Sequence, residues 1–231
     1  MRQLPLGVRL RDRASFDSYY AGDNVAALAH LQALAAGGRS GCSWLYGQPG
    51  SGRTHLLQAV CAQAALTGAA AYLPLAQLLA IGPESLAGWQ DAACVCVDDV
   101  DAVIGQLAWE QALFGLYREA EERGAALLFS AQLPPQSLRF ALPDLASRCA
   151  AGSIHGLQSL TEEQQRAALQ LRARLRGLEL PEETVLYVQR RWPRDMNSLF
   201  GLLDTLDEEA LTAQRRLTVP FIRAVLAQRP A

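Results

Sequence analysis

The chain has 231 residues, half of them apolar, and a formal net charge of -2 at pH 7. This length fits one sizeable domain, or one domain with a small appendage. The charge gives no support for general nucleic-acid binding, no apolar run is long enough to cross a membrane, and no basic, apolar leader opens the chain. We therefore expect a cytoplasmic protein with no membrane partner.

Residues 1–13 are rich in arginine and irregular, with Gln3-Leu4-Pro5-Leu6 as a small apolar patch. Composition alone favours a frayed terminus over a docking peptide. From there to residue 157, strand-like and helix-like segments alternate. Strands are predicted at 43–46, 70–73, 93–97, 125–129 and 153–157. Residues 93–97 are apolar at every position, as in a central parallel strand covered on both faces.

Only helices are predicted after residue 157. Residues 161–164, Thr-Glu-Glu-Gln, form a capping box that opens a helix to about residue 176. Further helices begin at about residues 181, 195 and 218. The pattern predicts an α/β nucleotide-binding domain with a parallel sheet over residues 14–158, and a small helical lid over residues 159–231.

The strand at 43–46 and the helix after it are joined by a glycine-rich turn. Such a turn lets backbone N–H groups curl around phosphate oxygens, and the helix N-terminus adds the positive end of its dipole. Its sequence departs from the P-loop pattern G-x-x-x-x-G-K-[ST] only where arginine replaces lysine, in a chain without lysine. An incidental glycine-rich loop is the weaker alternative. The predicted nucleotide-binding residues are Gly47, Gln48, Pro49, Gly50, Ser51, Gly52, Arg53, Thr54 and His55.

Acidic residues follow the central strand, as the second half of a P-loop site requires. Asp98 is predicted to hold Mg²⁺ through water together with the Thr54 hydroxyl, and Asp99 to orient attacking water. Asp99 is one methylene shorter than the glutamate of many such ATPases, which shortens its reach. Ser130, at the end of the next strand, is predicted to lie beside the γ-phosphate. The alternative is that these polar residues merely end their strands.

The five cysteines lack paired metal spacing. Cys94 and Cys96 alternate along the apolar run and should share one face of the strand. Buried thiols in a reducing cytoplasm are favoured over a metal site.

Together these residues resemble AAA+ proteins, and within them the family of the replication initiator DnaA, most closely the Hda family of short DnaA homologues. The most specific segments are residues 142–148, Leu-Pro-Asp-Leu-Ala-Ser-Arg, together with 169–177 and 211–218. The likeness runs from about residue 16 to residue 226. It implies the AAA+ fold, bound ADP or ATP with Mg²⁺, and action on DnaA.

The resemblance also assigns roles. Arg148 matches the arginine finger that reaches into a neighbouring subunit's nucleotide. Gly22 and Asn24 match the segment that closes over the adenine edge. Asn197 stands where the lid of the initiator presents an arginine, and Arg194 lies nearly a helical turn away.

The same family opens with a Gln-Leu-x-Leu peptide that binds the DNA sliding clamp, the β subunit. Gln3, Leu4 and Leu6 fit that peptide, which reverses the preference for a frayed terminus. The aromatic residue that often closes such peptides is missing here.

The expected function is therefore that of an ADP-bound regulator that binds the clamp and stimulates ATP hydrolysis by DnaA, preventing re-initiation of DNA replication. Association of the chain with copies of itself, as a homo-oligomer, is left open. Because the chain stops after its lid at residue 231, we expect no sequence-specific DNA binding. The main alternative is an ATP-hydrolysing helicase-loader or transposition helper, and a small-molecule P-loop kinase is a third.

Overall fold

The computed structural model describes residues 14–89, 91–193, 195–213 and 217–227. The predicted clamp-binding residues Gln3, Leu4 and Leu6, and Arg194 in the lid, lie outside the described residues. Within those ranges, no helix is both long enough and apolar enough to span a bilayer.

Five strands and nine α-helices make up the described part of the chain. The strands are β1 (Gly41–Gly47), β2 (Ala70–Pro74), β3 (Cys94–Asp98), β4 (Ala126–Ala131) and β5 (Ser153–Leu157). The helices of the α/β part are α1 (Val25–Ala35), α2 (Arg53–Ala64), α3 (Leu75–Leu78), α4 (Leu107–Arg123) and α5 (Pro143–Ala151). The remaining helices are α6 (Glu162–Leu175), α7 (Glu182–Gln189), α8 (Met196–Ala213) and α9 (Val219–Ala227).

The five strands form one parallel sheet in the order β2-β3-β4-β1-β5. Every position of β3 is buried, as predicted for a strand covered on both faces. Because all strands run the same way, their carboxyl ends meet at one edge of the sheet. That edge carries the glycine-rich turn after β1, the acidic pair after β3 and Ser130 near the end of β4.

Alternate residues of the central strands feed two cores. Val97 and Phe129 pack on one face of the sheet with Leu113 of α4, whereas Cys96 and Leu128 pack on the other with residues of α1 and α2. The prediction that Cys94 and Cys96 share a face is confirmed, with their Sγ atoms 4.0 Å apart. All five cysteines are free thiols, of which Cys42 and Cys61 are only partly buried.

The helices α6 to α9 form a lid with an apolar core of its own, in which leucine is the commonest residue. The predicted capping box opens α6: the Thr161 hydroxyl accepts from the Gln164 N–H (3.2 Å), and the Gln164 side chain accepts from the Thr161 N–H (3.0 Å). The predicted fold class, a helix-flanked parallel sheet followed by a small helical lid, is confirmed.

Candidate functional site

A cavity of about 480 Å³ lies between the glycine-rich turn and the lid. Residues 49–55 and Asp99 line it from the sheet side, so the structure brings together most of the predicted P-loop and the second acid. The N-terminal segment contributes Ala14, Ser18, Tyr19 and Tyr20. The lid side contributes Leu160, Ala168, Arg172, Met196, Asn197 and Phe200.

The turn between β1 and α2 has the backbone that a phosphate cradle needs. Gly50 and Gly52 have φ values of +82° and +93°, in the left-handed region that glycine tolerates best. A Cβ at Gly52 would also lie 2.6 Å from Cε2 of Tyr19. Helix α2 starts directly after Gly52, so its first N–H groups point toward the turn.

Two buried polar groups in this turn have no hydrogen-bond partner among the described residues. They are Nη1 of Arg53 and the hydroxyl of Ser51, in side chains only 9% and 7% exposed. Buried donors are normally satisfied, so such atoms point to a missing acceptor. A phosphate group, with several anionic oxygens, fits both donors and the adjacent helix N-terminus.

Asp99 faces the cavity in a left-handed conformation with φ of 56°, and is the single non-glycine residue with positive φ among the described residues. Its Oδ1 lies 3.6 Å from Nη2 of Arg53. Burial and then the neighbouring Asp98 raise the pKa of the Asp99 carboxyl, while Arg53 opposes the shift. The predicted water-orienting acid is therefore ion-paired with the predicted phosphate-binding cation.

Asp98 does not line the cavity. It is buried, and its two carboxylate oxygens accept hydrogen bonds from the Tyr72 hydroxyl (2.8 Å) and from the Ser130 hydroxyl. Ser130 in turn accepts from the Asp99 N–H at 3.1 Å. Thr54, by contrast, is exposed and lines the cavity. The Thr54 hydroxyl is thus accessible from the cavity, and its role as a Mg²⁺ ligand, like that of Asp98 as its water-mediated partner, stays a prediction.

The N-terminal segment is fastened to the glycine-rich turn by polar contacts. The Tyr19 hydroxyl donates to the carbonyl of Ser51 (3.2 Å), and His55 Nε2 donates to the carbonyl of Ser15 (2.9 Å). Burial raises the pKa of Tyr19 to about 12, so the hydroxyl stays protonated. Burial lowers the pKa of His55, which keeps this imidazole neutral near pH 7.

Gly22 and Asn24 belong to this N-terminal segment but do not line the cavity. Asn24 is buried, accepts from the Gln158 N–H (2.7 Å) and donates to the Gln158 carbonyl (3.0 Å). A Cβ at Gly22 would lie 3.0 Å from Leu160 Cδ2. Both residues therefore join the N-terminal segment to the connection between β5 and the lid, and a contact with adenine stays a prediction.

Arg148 lies on α5, outside the cavity. Its side chain is 53% exposed, its Nη1 lies 3.6 Å from Oε1 of Glu121, and its Cζ lies 5.8 Å from the Tyr117 ring centre. The guanidinium is thus held loosely at the surface, and it lies outside the cavity that the chain's own P-loop lines. An arginine so placed can meet a second molecule.

The start of α5 is fixed by a buried acid that the sequence pattern did not reveal. Glu110 of α4 is fully buried, and its carboxylate accepts from the backbone N–H groups of Gly105 (2.6 Å), Ala141 (3.0 Å) and Leu142 (2.6 Å). Leu142 is the residue from which α5 begins. Glu110 therefore positions the helix that carries Arg148.

Several cavity residues were also absent from the sequence prediction. Tyr19, Arg172 and Phe200 line the cavity but belong to no P-loop pattern. Arg172 lies within the family-specific segment at 169–177, which is the one signal that singles it out. The predicted residues Gly47, Gln48, Asp98 and Ser130 do not line the cavity, although all four lie at the same edge of the sheet.

Comparison with known proteins gives both a family match and structural neighbours. The model of the Hda lid domain matches residues 162–226. Domain III of the replication initiator DnaA from Thermotoga maritima aligns with a TM-score of 0.76 at 21% identity, over 99% of this chain and 98% of that one. AMPPCP-bound DnaA from Aquifex aeolicus aligns with a TM-score of 0.70 at 19% identity, over 86% and 66%.

A second group of structural neighbours consists of RuvB proteins. The RuvB Holliday junction branch migration motor of Thermotoga maritima aligns with a TM-score of 0.65 at 17% identity, over 94% of this chain and 72% of that one. At these identities the structural matches establish the fold, and the family match identifies the helical end. Residues 162–226 thus belong to the Hda lid domain family, and the chain as a whole has the fold of DnaA domain III.

Proposed function

We propose that this chain is an ADP-bound AAA+ regulator that stimulates ATP hydrolysis by the initiator DnaA while bound to the DNA sliding clamp. Its action prevents re-initiation of DNA replication in the cytoplasm. The observation that carries the proposal is Arg148, an exposed arginine on α5 that does not line the chain's own cavity. The match of residues 162–226 to the Hda lid supports the same assignment.

Nucleotide binding is supported by the cavity itself. Ser51 and Arg53 present unsatisfied donors, Gly50 and Gly52 supply the backbone of a phosphate cradle, and α2 contributes its N-terminus. The similar Aquifex aeolicus DnaA is AMPPCP-bound, which places a nucleotide in a protein of this fold. Mg²⁺ would be held by Thr54 and would offset phosphate charge.

A diphosphate suits this site better than rapid turnover of a triphosphate. Asp99, which would orient attacking water, is paired with Arg53, and Asp98 is occupied by Tyr72 and Ser130. Asn197 replaces an arginine that DnaA directs at the phosphates. Arg53 can still hold a phosphate through two N–H groups, although its charge is more diffuse than that of lysine.

Arg148 would act on the partner's nucleotide rather than on its own. During phosphoryl transfer, negative charge spreads over the transferred group and the leaving oxygen. A planar guanidinium donates two parallel hydrogen bonds to such oxygens and neutralises part of the charge. The chain needs only to hold Arg148 in position, so it can stimulate hydrolysis without being an efficient ATPase.

Attachment to the clamp is assigned to Gln3, Leu4 and Leu6. A glutamine anchor and two leucines seated in apolar pockets concentrate binding energy in a few side chains. Combined replacement Gln3→Ala and Leu4→Ala should abolish clamp binding and leave ADP affinity intact. Co-elution of the double variant with the clamp would show that another segment is the tether.

The direct test of the function is a reconstituted assay. Initiator loaded with labelled ATP is mixed with clamp-loaded DNA, and hydrolysis is followed with and without this protein. We expect faster initiator turnover, little hydrolysis by the protein alone, and ADP as the nucleotide released from the purified protein. Brisk turnover by the isolated protein, with no effect on the initiator, would favour a helicase-loader or transposition helper instead.

A further inference from the structure

We propose that Arg172 of the first lid helix binds the phosphate chain of the nucleotide, in the role that Asn197 leaves unfilled. The proposal rests on the nucleotide-binding function proposed above and adds a residue to it. It makes the lid a source of selectivity for nucleotides with a phosphate chain over nucleosides.

The lid face of the cavity offers one charged group among the described residues. Of the side chains that α6 and α8 place there, Ala168, Met196 and Phe200 are apolar and Asn197 is neutral. Arg172 alone carries a charge. A phosphate chain seated on the glycine-rich turn would therefore meet its lid-side cation at this position.

The guanidinium of Arg172 lies against an aromatic ring in the wall of the cavity. Its Cζ lies 4.4 Å from the centre of the Phe200 ring, in a cation–π contact. A guanidinium carries five N–H donors, so the contact with the ring does not by itself prevent a hydrogen bond to phosphate.

Arg172 acts electrostatically on the P-loop helix across the cavity. Its charge contributes to the lowered pKa of His55, the third residue of α2, after burial as the main cause. The lid is also close to the glycine-rich turn: a Cβ at Gly50 would lie 3.7 Å from the backbone nitrogen of Met196, one helical turn before Phe200. Burial lowers the pKa of Arg172 and Asp204 opposes that shift, so a bound phosphate would favour the charged form further.

The two arginines of the cavity have different surroundings. Arg53 is paired with Asp99, which offsets much of its charge toward a ligand. Arg172, which has the carboxylate of Asp204 in its electrostatic surroundings, lies on the opposite wall and would bind phosphate oxygens that face the lid. Phosphates held between Arg53 and Arg172 would join the lid to the α/β part of the chain.

The test compares Arg172→Gln with Arg174→Gln. Arg174 lies on the same helix, is exposed and does not line the cavity, so it is a matched control. Binding of ADP is measured by calorimetry, and that of adenosine by competition. We expect Arg172→Gln to weaken ADP binding about tenfold or more, to leave adenosine binding nearly unchanged, and to differ in both respects from Arg174→Gln.

Equal losses for ADP and adenosine would mean that Arg172 only supports the lid, and would overturn the proposal, as would unchanged ADP binding. If Arg172→Gln does not fold, Arg172→Met keeps an apolar stem against Phe200 and carries the same prediction. Failure of the wild-type protein to bind ADP would instead remove the proposed nucleotide site itself, which separates the two claims.

Discussion

Two arginine–carboxylate pairs of equal length have opposite surroundings in this molecule. In each, the closest nitrogen and oxygen are 3.6 Å apart: Arg53 with Asp99 in the cavity, and Arg148 with Glu121 on the surface. The Arg53 side chain is 9% exposed, whereas that of Arg148 is 53% exposed. The two ion pairs therefore have equal distances but differ in how much they stabilise the protein.

The difference in exposure indicates which arginine can leave its carboxylate partner. An exposed ion pair contributes about 0 to 1 kcal/mol, so a phosphate on another protein can take Arg148 from Glu121 at little cost. A buried charge that loses its partner is strongly destabilising. Arg53 therefore stays in its own cavity, whereas Arg148 can exchange Glu121 for a group on another protein.

The largest expected effect comes from the acid that supports the surface arginine. Replacement Glu110→Ala leaves three backbone N–H groups without their acceptor, each at a cost of roughly 1 kcal/mol or more. We expect the free energy of unfolding, measured with urea, to fall by about 3 kcal/mol. Glu122→Ala, on the exposed part of the same helix, should change it by less than about 0.5 kcal/mol. Equal effects of the two variants would contradict the role given to Glu110.

The next effect tests the buried arginine. Arg53→Ala removes a charge-assisted contact to phosphate and leaves Asp99 alone in the cavity, so ADP affinity measured by calorimetry should fall about a hundredfold. Arg148→Ala should leave ADP affinity unchanged. If both variants lose affinity, or neither does, the division between the two arginines is wrong.

Much of this arrangement was predictable from local pattern. The strands, the glycine-rich turn, the acidic pair and the capping box are set by residues within a few positions of one another. Contacts between distant segments were not predictable: the Tyr72 hydroxyl reaches Asp98 from 26 positions away, and Glu110 binds Leu142 from 32. Arg172 and Phe200 enter the cavity only because the lid packs where it does.

A smaller effect concerns the pH dependence of stability, which buried groups rather than surface pairs should control. His30 is buried, lies within hydrogen-bond distance (2.9 Å) of the Ser43 hydroxyl and packs against the His155 ring. Burial, with His155 and Arg39 nearby, lowers the pKa of His30 to about 4. In the unfolded chain His30 takes up a proton near pH 6.5, whereas in the folded protein it does so only near pH 4. The contribution of neutral His30 to the free energy of unfolding is therefore fully present above pH 6.5 and is lost as the pH falls toward 4.

We therefore expect His30→Gln to reduce the loss of unfolding free energy between pH 6.5 and pH 4 by roughly 1 to 2 kcal/mol. Urea unfolding of both proteins at several pH values in this range is the measurement. Parallel curves for the variant and the wild type would mean that other groups set the acid sensitivity.

The smallest effect is expected at the surface pair. Glu121→Gln should change the melting temperature by less than about 2 °C, because an exposed pair contributes little. Stimulation of the initiator should persist, since Arg148 needs a partner's phosphate and not Glu121. A large loss of stability would show that the pair is stronger than its exposure indicates.

The central claim is that Arg148 acts on the nucleotide of another protein, and one measurement tests it most directly. Initiator ATP hydrolysis on clamp-loaded DNA is compared with wild-type protein and with Arg148→Ala, after both are shown to bind ADP and to melt alike. The account predicts that the wild type stimulates hydrolysis, that Arg148→Ala does not, and that Arg148→Lys restores little, because an ammonium group cannot form the paired contacts of a guanidinium. Full stimulation by Arg148→Ala, or none by the wild type, would contradict it.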